Sequence, residues 1–192
     1  GFINFHLARD FFAEEVARST TQGSKWGHND DWHGKLVLVE YTDPNPFKEF
    51  HIGHLFTNAV GESISRLFAA SGANVKRCNY QGDVGLHVAH AIYGMQQLGI
   101  SAGSEFTAAD LGRAYAYGAT AYTENESVQQ EIRAINKKVY ERSDSEINAL
   151  YDVGRRVSLE YFETIYEMVG TQFDEYFFES EAGPVGREIV HK

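Results

Sequence analysis

The feature that most constrains the fold of this chain is a short apolar, β-branched run followed at once by a turn-rich segment and an amphipathic helix. The run spans residues 35–41 (KLVLVEY) and is typical of a buried strand in a parallel sheet. Apolar residues spaced by three and four predict a helix over residues 53–71, and residues 74–80 predict a second, weaker strand. A strand, a helix and a strand in this order predict a right-handed βαβ unit with a ligand site at the carboxyl ends of the strands.

The rest of the chain is mainly helical in pattern. Turn signals and a lack of periodicity indicate a linker at residues 20–34. Further elements are predicted as helices at 7–18, 107–125, 127–141 and 144–169 and as a return to strand at 173–178. The fold class that follows is α/β, with a Rossmann-like nucleotide-binding half-domain of parallel strands and a mainly helical insertion.

Composition excludes several classes of protein. No run of about 18 apolar residues is present, so we expect no membrane span. The single cysteine, Cys78, excludes a disulfide framework and fits a reducing cytosol. Asp and Glu number 27 against 17 Lys and Arg, a formal net charge of -10. Such a surface binds polyanions poorly, so any nucleic acid would need a local site or parts of the protein outside this chain.

The segment between the first strand and the helix carries the chemistry. His51 and His54 lie three residues apart, so in a first helical turn they share a face. That turn also offers unpaired backbone N–H groups and a partial positive charge, which favour phosphate. Gly53 leaves room for close approach of a ligand, and Lys48 adds a mobile cation just outside the turn. The sequence therefore predicts a phosphate-binding site here.

Every residue of this kind also has a purely structural interpretation. The histidine pair fits a solvated or capping pair, and a zinc site would need a third ligand such as His87 or His90. Asn45 fits a turn cap between two prolines, and Asp83 fits a helix N-cap. Residues 179–181 (ESE) fit a solvated acidic end. Taken alone, the residues predict no more than a phosphate-binding α/β site.

Three longer segments carry a family resemblance. Residues 51–54 (HIGH) resemble the signature of class I aminoacyl-tRNA synthetases, and residues 39–54, 77–85 and 173–181 resemble arginyl-tRNA synthetases in particular. The blocks stand in the family's order over about residues 35–190. The resemblance implies the end of an N-terminal appended domain or linker helix at 1–20, the first half of the class I Rossmann-type catalytic domain at 21–100, a helical insertion at 101–172 and a return to the catalytic domain at 173–192.

The resemblance implies ATP-dependent activation of L-arginine to arginyl-adenylate and transfer of the arginyl group to tRNA(Arg). ATP with Mg2+ is then a substrate, with no tightly bound cofactor, no metal site, no membrane and a cytoplasmic location. The implied ATP contacts are Lys48, His51, Gly53 and His54, with Lys48, His51 and His54 as the catalytic group. The implied arginine contacts are Glu40, Asp43, Pro44, Asn45, His54 and Glu179.

Within this set, the resemblance implies that Glu179 corresponds to the family carboxylate that faces the guanidinium of the substrate. Glu181 is the second candidate for that role. A bidentate acceptor suits the planar donors of a guanidinium, whereas lysine lacks that fork of donors. The family usually has Ser where this sequence has Asp43.

The chain also departs from the family pattern. None of its lysines lies in a KMSK string, the second nucleotide signature of class I enzymes. We therefore expect an excised piece that carries the HIGH half of the catalytic domain and is inactive by itself in arginylation. Two alternatives stay open: another nucleotidyltransferase that uses the HxGH turn, and a non-catalytic module that binds a nucleotide or a partner.

Overall fold

Three parallel strands and seven α-helices make up residues 1–190, the part of the chain that the computed structural model describes. In chain order the elements are α1 (Arg9–Gln22), β1 (Leu36–Glu40), α2 (Ile52–Ala70), β2 (Asn74–Gln81), α3 (Leu86–Gln97), α4 (Ala108–Glu124), α5 (Glu126–Glu141), α6 (Ser145–Val169), β3 (Glu175–Phe178) and α7 (Glu179–Val190). Within residues 1–190, no helix combines the length and the apolar composition that a membrane crossing requires.

The sheet confirms the predicted βαβ unit and the predicted return to strand. Its order is β1-β2-β3, and both pairs of neighbours are parallel. In register, Glu40 of β1 lies opposite Cys78 of β2, which in turn lies opposite Glu175 of β3. Because all three strands run the same way, the segments that follow them meet at one edge of the sheet.

The prediction that β1 is buried is wrong for the described part of the chain. The side chains of Leu36 and Leu38 are about three-fifths exposed, whereas Val37 and Val39 on the other face are partly buried. Within residues 1–190, β1 pairs only with β2, so it is an edge strand with one uncovered face. The β-branched pattern therefore predicted the strand correctly, but not that only one of its two faces is covered.

Helix α2 buries its polar side and exposes its apolar side. The buried residues are Asn58, Gly61, Glu62 and Ser65. The predicted apolar stripe instead faces outward, with Phe56 and Leu67 more than two-thirds exposed. The three- and four-residue spacing therefore predicted the helix correctly but not the side that packs on the sheet.

A buried carboxylate on α2 explains this orientation. Glu62 accepts hydrogen bonds from the Tyr41 hydroxyl at 2.6 Å, from Arg66 Nε at 2.7 Å and from Arg77 Nε at 2.9 Å. Burial alone would raise the pKa of Glu62, but the hydrogen bonds from Arg77, Tyr41 and Arg66 outweigh it and lower that pKa. These bonds join α2 to the end of β1 and to β2.

The hydrophobic core lies in the helical part of the chain, not around the sheet. It is formed by α3, α4, α5 and α6, which we call the helical bundle. Buried residues of the bundle include Ile92, Leu111, Ile132 and Leu150. Helix α3 thus shares its core with the three helices predicted as the insertion.

One residue of the loop after β1 enters this core. The Phe47 ring is fully buried and packs against α6 at Gly154, where an added Cβ would lie 2.3 Å from Phe47 Cε1. The Phe47 N–H donates a hydrogen bond of 2.9 Å to Ser158 Oγ, and the ring stacks on Tyr151 with 6.0 Å between centroids. The loop between β1 and α2 is therefore anchored in the helical bundle.

We expect Gly154→Ala to destabilise the protein, because the added methyl group overlaps the Phe47 ring and the packed core gives it no space. The expected loss is about 1–3 kcal/mol, measured by thermal or denaturant unfolding of the full-length protein. Gly183→Ala in α7 is the matched control, since nothing lies within 4 Å of its added Cβ. Equal unfolding midpoints for the two variants would contradict the anchor.

Candidate active site

Three segments meet at the carboxyl edge of the sheet: residues 41–51 after β1, residues 82–85 after β2, and Glu179 at the end of β3. The first segment has an unusual backbone, with positive φ at Thr42 (80°), Asp43 (47°) and Phe47 (68°). Such conformations cost non-glycine residues roughly 1–3 kcal/mol each and persist only where contacts hold them.

Each of these three residues has a hydrogen bond that holds it. Thr42 Oγ1 accepts from Asn58 Nδ2 at 3.0 Å, Asp43 Oδ1 accepts from the Tyr80 N–H at 3.0 Å, and Phe47 is held by Ser158 as described above. The strained loop is thereby attached to α2, β2 and α6. A loop fixed at this cost presents its remaining side chains in one geometry.

His51 and His54 form a reciprocal cap at the start of α2. His51 Nδ1 accepts from the Gly53 N–H at 3.1 Å, and His54 Nδ1 accepts from the His51 N–H at 3.3 Å. The rings stack with 3.7 Å between centroids and 17° between planes. Because each Nδ1 accepts a bond, each neutral ring carries its proton on Nε2. The capping interpretation is therefore correct, and capping leaves two Nε2–H donors for a ligand.

The charge state of His54 follows from its surroundings. Burial, with contributions from His51 and Lys48, lowers the pKa of His54 to about 4. The ring is consequently neutral near pH 7 and acts as a hydrogen-bond donor without a formal charge.

Lys48 lies against the helical bundle. Its Nζ is 4.7 Å from the centroid of the Tyr115 ring on α4. Both side chains are partly buried, and a cation–π contact contributes from about 0.5 to about 2 kcal/mol as it is desolvated.

Two of the predicted arginine contacts come together at Gly82. A Cβ added to Gly82 would lie 2.5 Å from Asn45 Oδ1 and 3.3 Å from Glu179 Oε2. Only a residue without a side chain allows both polar groups to approach this point of the backbone. The Glu179 carboxylate forms no ion pair with a cation of residues 1–190.

Glu179 also lines a cavity of about 330 Å³ between α5, α6 and α7. Its wall includes the rings of Tyr140 and Tyr151 and two cationic side chains, Arg187 of α7 and Arg142, which pairs with Asp152. This volume is within the range of small-molecule sites.

The remaining members of the arginine set lie in different surroundings. Burial, with a smaller contribution from Glu40, raises the pKa of Asp43 to about 6 in spite of its bond from Tyr80. Pro44 is fully buried beneath the loop, whereas Glu40 is exposed at the end of β1. Glu181 lines a separate cavity, with Arg155 and Asp152.

Asp83 is the residue whose importance the sequence analysis missed. The N-cap of α3 is Gly85, so the interpretation of Asp83 as a helix N-cap is wrong. Its fully buried carboxylate instead accepts bonds from α6 and α7. One signal in the sequence could have indicated a buried acceptor. Tyr151 and Arg155 can both donate hydrogen bonds and lie one turn apart on a helix with an apolar stripe.

The two histidines considered as zinc ligands have other surroundings. His87 Nε2 lies 2.8 Å from the Gly82 carbonyl oxygen, and the His90 ring packs 4.9 Å from the Tyr122 ring. Residues 1–190 contain no group of three or more His, Cys, Asp or Glu side chains placed to hold a metal ion.

Comparison with known proteins adds to this geometry. The family model described as "tRNA synthetases class I (R), catalytic domain" matches residues 15–182. The arginine–tRNA ligase of Clostridium beijerinckii is 32% identical over 197 aligned residues, which cover 100% of this chain and 35% of that protein. That of Treponema pallidum is 31% identical, with 100% and 33% covered. The chain thus spans about a third of the length of these curated relatives.

Solved structures have the same fold. The arginyl-tRNA synthetase of Thermus thermophilus matches with a TM-score of 0.66 at 22% identity, over 92% of this chain and 28% of that one. That of Plasmodium falciparum matches with a TM-score of 0.63 at 20% identity, over 96% and 32%. Since the family model covers most of the chain, the chain belongs to the class I arginyl-tRNA synthetase family, within its catalytic domain.

Proposed function

We propose that the protein containing this chain is an arginine–tRNA ligase that activates L-arginine with ATP and transfers it to tRNA(Arg). One observation carries the proposal: the Nε2–H donors of His51 and His54 lie at the same sheet edge as the Asn45 and Glu179 pair. A site that binds phosphates next to a site that binds a cationic amino acid is what arginine activation requires.

In the activation step, a carboxylate oxygen of arginine attacks the α-phosphorus of ATP. The bond from that phosphorus to the oxygen bridging to the β-phosphate breaks, and pyrophosphate leaves. Negative charge grows on the phosphate oxygens, where the Nε2–H donors of His51 and His54 and the positive end of the α2 dipole stabilise it. Lys48 supplies a cation from the rim of the site once it leaves the Tyr115 ring.

Arginine recognition uses the other side of the site. The Glu179 carboxylate, which forms no ion pair with a cation of residues 1–190, pairs with the guanidinium through two parallel hydrogen bonds. Asp43 and Asn45 bind the α-amino and carboxylate groups, with His54 beside them. Lysine cannot make the forked pair, so the site rejects it by binding alone.

ATP enters as its Mg2+ complex, whose ion keeps phosphate and water ligands and neutralises part of the triphosphate charge. Residues 1–190 contain no group of three or more His, Cys, Asp or Glu side chains placed to hold such an ion. The buried, free Cys78 is compatible with the reducing cytoplasm in which we expect the enzyme to work.

The uncovered faces of β1 and α2 support a longer catalytic unit. Exposed apolar residues on these two elements include Leu36, Leu38, Phe56 and Leu67. Exposed apolar surface of this kind marks places where other protein surface packs. We infer that further parts of the catalytic domain cover it and add ATP contacts, and that tRNA contacts lie outside this acidic chain.

The overall proposal is tested by ATP–pyrophosphate exchange with the full-length enzyme, run with each of the twenty amino acids, with and without tRNA. Among the twenty amino acids, we expect only arginine to support exchange. Exchange with another amino acid, or adenylylation of a substrate that is not an amino acid, would identify the site as that of a different nucleotidyltransferase.

Removal of either donor should slow the chemical step. We expect His51→Ala and His54→Ala each to lower the rate of adenylate formation by about 10²–10³-fold, because a preorganised donor to developing charge is lost. His33→Ala, an exposed histidine outside the site, is the control. A rate near wild type for either site variant would remove that histidine from the proposed mechanism.

Removal of the carboxylate charge at position 179 should affect arginine alone. Glu179 is half-buried in the cavity, and a bound guanidinium would bury the charge pair further. Glu179→Gln is therefore expected to weaken arginine binding by about 2–4 kcal/mol while the KM for ATP changes little. Glu181→Gln is the matched control, since Glu181 lines a different cavity. If Glu181→Gln had the larger effect, the guanidinium would be assigned to Glu181.

Asp43 should give arginine binding a pH dependence near pH 6. Above its raised pKa of about 6 the carboxylate is ionised and attracts the ammonium group of arginine, and below it the attraction is lost. The KM for arginine should therefore rise as pH falls through about 6, by up to about tenfold per pH unit. Asp43→Ser should abolish this rise in KM profiles, and an unchanged profile would show that Asp43 does not contact the ammonium.

A further inference from the structure

A buried carboxylate lies directly beside the residue that we assign to the guanidinium. The Asp83 side chain has no exposed surface. Its Oδ2 accepts hydrogen bonds from the Tyr151 hydroxyl at 3.1 Å and from Arg155 Nε at 2.9 Å, both on α6. Burial and the neighbouring Asp83 raise the pKa of Tyr151 to about 12, so this phenol keeps its proton and donates. Asp83 thus joins the end of β2 to the helical bundle.

The same carboxylate also binds the residue after Glu179. Asp83 Oδ1 accepts from the Ser180 N–H at 2.8 Å, and Oδ2 accepts from Ser180 Oγ at 2.7 Å. Ser180 is the second residue of α7, where backbone N–H groups have no partner inside the helix. A negative charge at this end of a helix is also favourable. Asp83 therefore fixes the backbone from which the Glu179 side chain extends.

Arg155 holds the other neighbour of Glu179. Its guanidinium carbon lies 3.9 Å from the centre of the Phe178 ring, while its Nε bonds Asp83. Its one ion pair within residues 1–190 is with Asp83. This arrangement satisfies the charge of Arg155 with Asp83, while the Glu179 carboxylate forms no ion pair within residues 1–190, even with Arg187 in the wall of the same cavity.

We propose that Asp83 is a positioning residue for arginine recognition, which orients Glu179 through Ser180 and withholds Arg155 from it. The proposal rests on the proposed function of Glu179 and extends it to a residue that does not touch the substrate. It also makes the helical bundle part of the amino acid specificity, because Tyr151 and Arg155 belong to α6.

The consequence is a selective loss of arginine affinity when the Asp83 charge is removed. In Asp83→Asn, Ser180 in the first turn of α7 still has an acceptor, the amide oxygen, but a weaker one. Arg155 loses its counter-ion and becomes free to approach Glu179. We expect the KM for arginine to rise about 10–100-fold, with kcat at saturating arginine and the KM for ATP within about threefold of wild type. A merely structural role would weaken arginine and ATP together.

The test uses the full-length enzyme and measures both KM values, kcat and the thermal unfolding midpoint. Ser180→Ala and Tyr151→Phe remove single bonds to Asp83 with little change in volume, and each should raise the arginine KM by about 3–10-fold. The double variant Asp83→Asn/Arg155→Gln also removes the cation that lost its partner. Its KM for arginine should therefore be lower than that of Asp83→Asn and closer to the wild-type value. Ser63→Ala, an exposed hydroxyl on α2, is the matched control.

The outcomes separate this proposal from the proposed function. If the wild-type enzyme does not activate arginine, the proposed function itself is wrong. If it does, and Ser180→Ala and Asp83→Asn leave the arginine KM unchanged, only the positioning role of Asp83 is wrong. Should Asp83→Asn fail to fold, Ser180→Ala decides the question, and equal losses for arginine and ATP in that variant would overturn the proposal.

Discussion

The packing of Phe47 into the notch at Gly154 is the contact on which the rest of the site depends. The sheet has no large apolar core within residues 1–190, because the buried cluster lies in the helical bundle. Phe47 is the residue through which the loop after β1 joins that cluster. The positions of Asn45 and of the histidine pair, on either side of Phe47, therefore depend on a bundle that is distant in the sequence.

Two buried carboxylates, Glu62 and Asp83, complete this attachment. Glu62 ties α2 to Tyr41 and Arg77, so the helix that carries the histidines cannot rotate about its axis. Asp83 ties the end of β2 to α6 and α7. Removing either charge would leave hydrogen-bond donors buried without a partner, which costs more than the net gain from forming those bonds. The polar contacts thus fix orientation where apolar packing is sparse.

The sequence predicted the helices and strands better than it predicted which of their faces are buried and which residues they contact. Strand β1, helix α2 and the helices α4–α6 follow from the period of their apolar residues. The sequence analysis missed helix α3, because this helix is buried on most of its sides and has no single apolar stripe. It missed α7 because Pro184 interrupts the helical pattern. The exposed apolar side of α2 and the role of Asp83 depend on partners far along the chain, which no local period encodes.

The two faces of α2 explain how a helix can hold its N-terminus steady for chemistry. On one face, Asn58 and Glu62 make directional bonds that set rotation and register against the sheet. On the other, an apolar stripe can be covered by any surface of suitable shape, since burial of apolar area is not directional. The polar face fixes the helix, and the capping bonds from the Gly53 N–H and the His51 N–H then set the angle of the two imidazole rings. Burial of the apolar stripe would add stability without changing the geometry that the polar face has set.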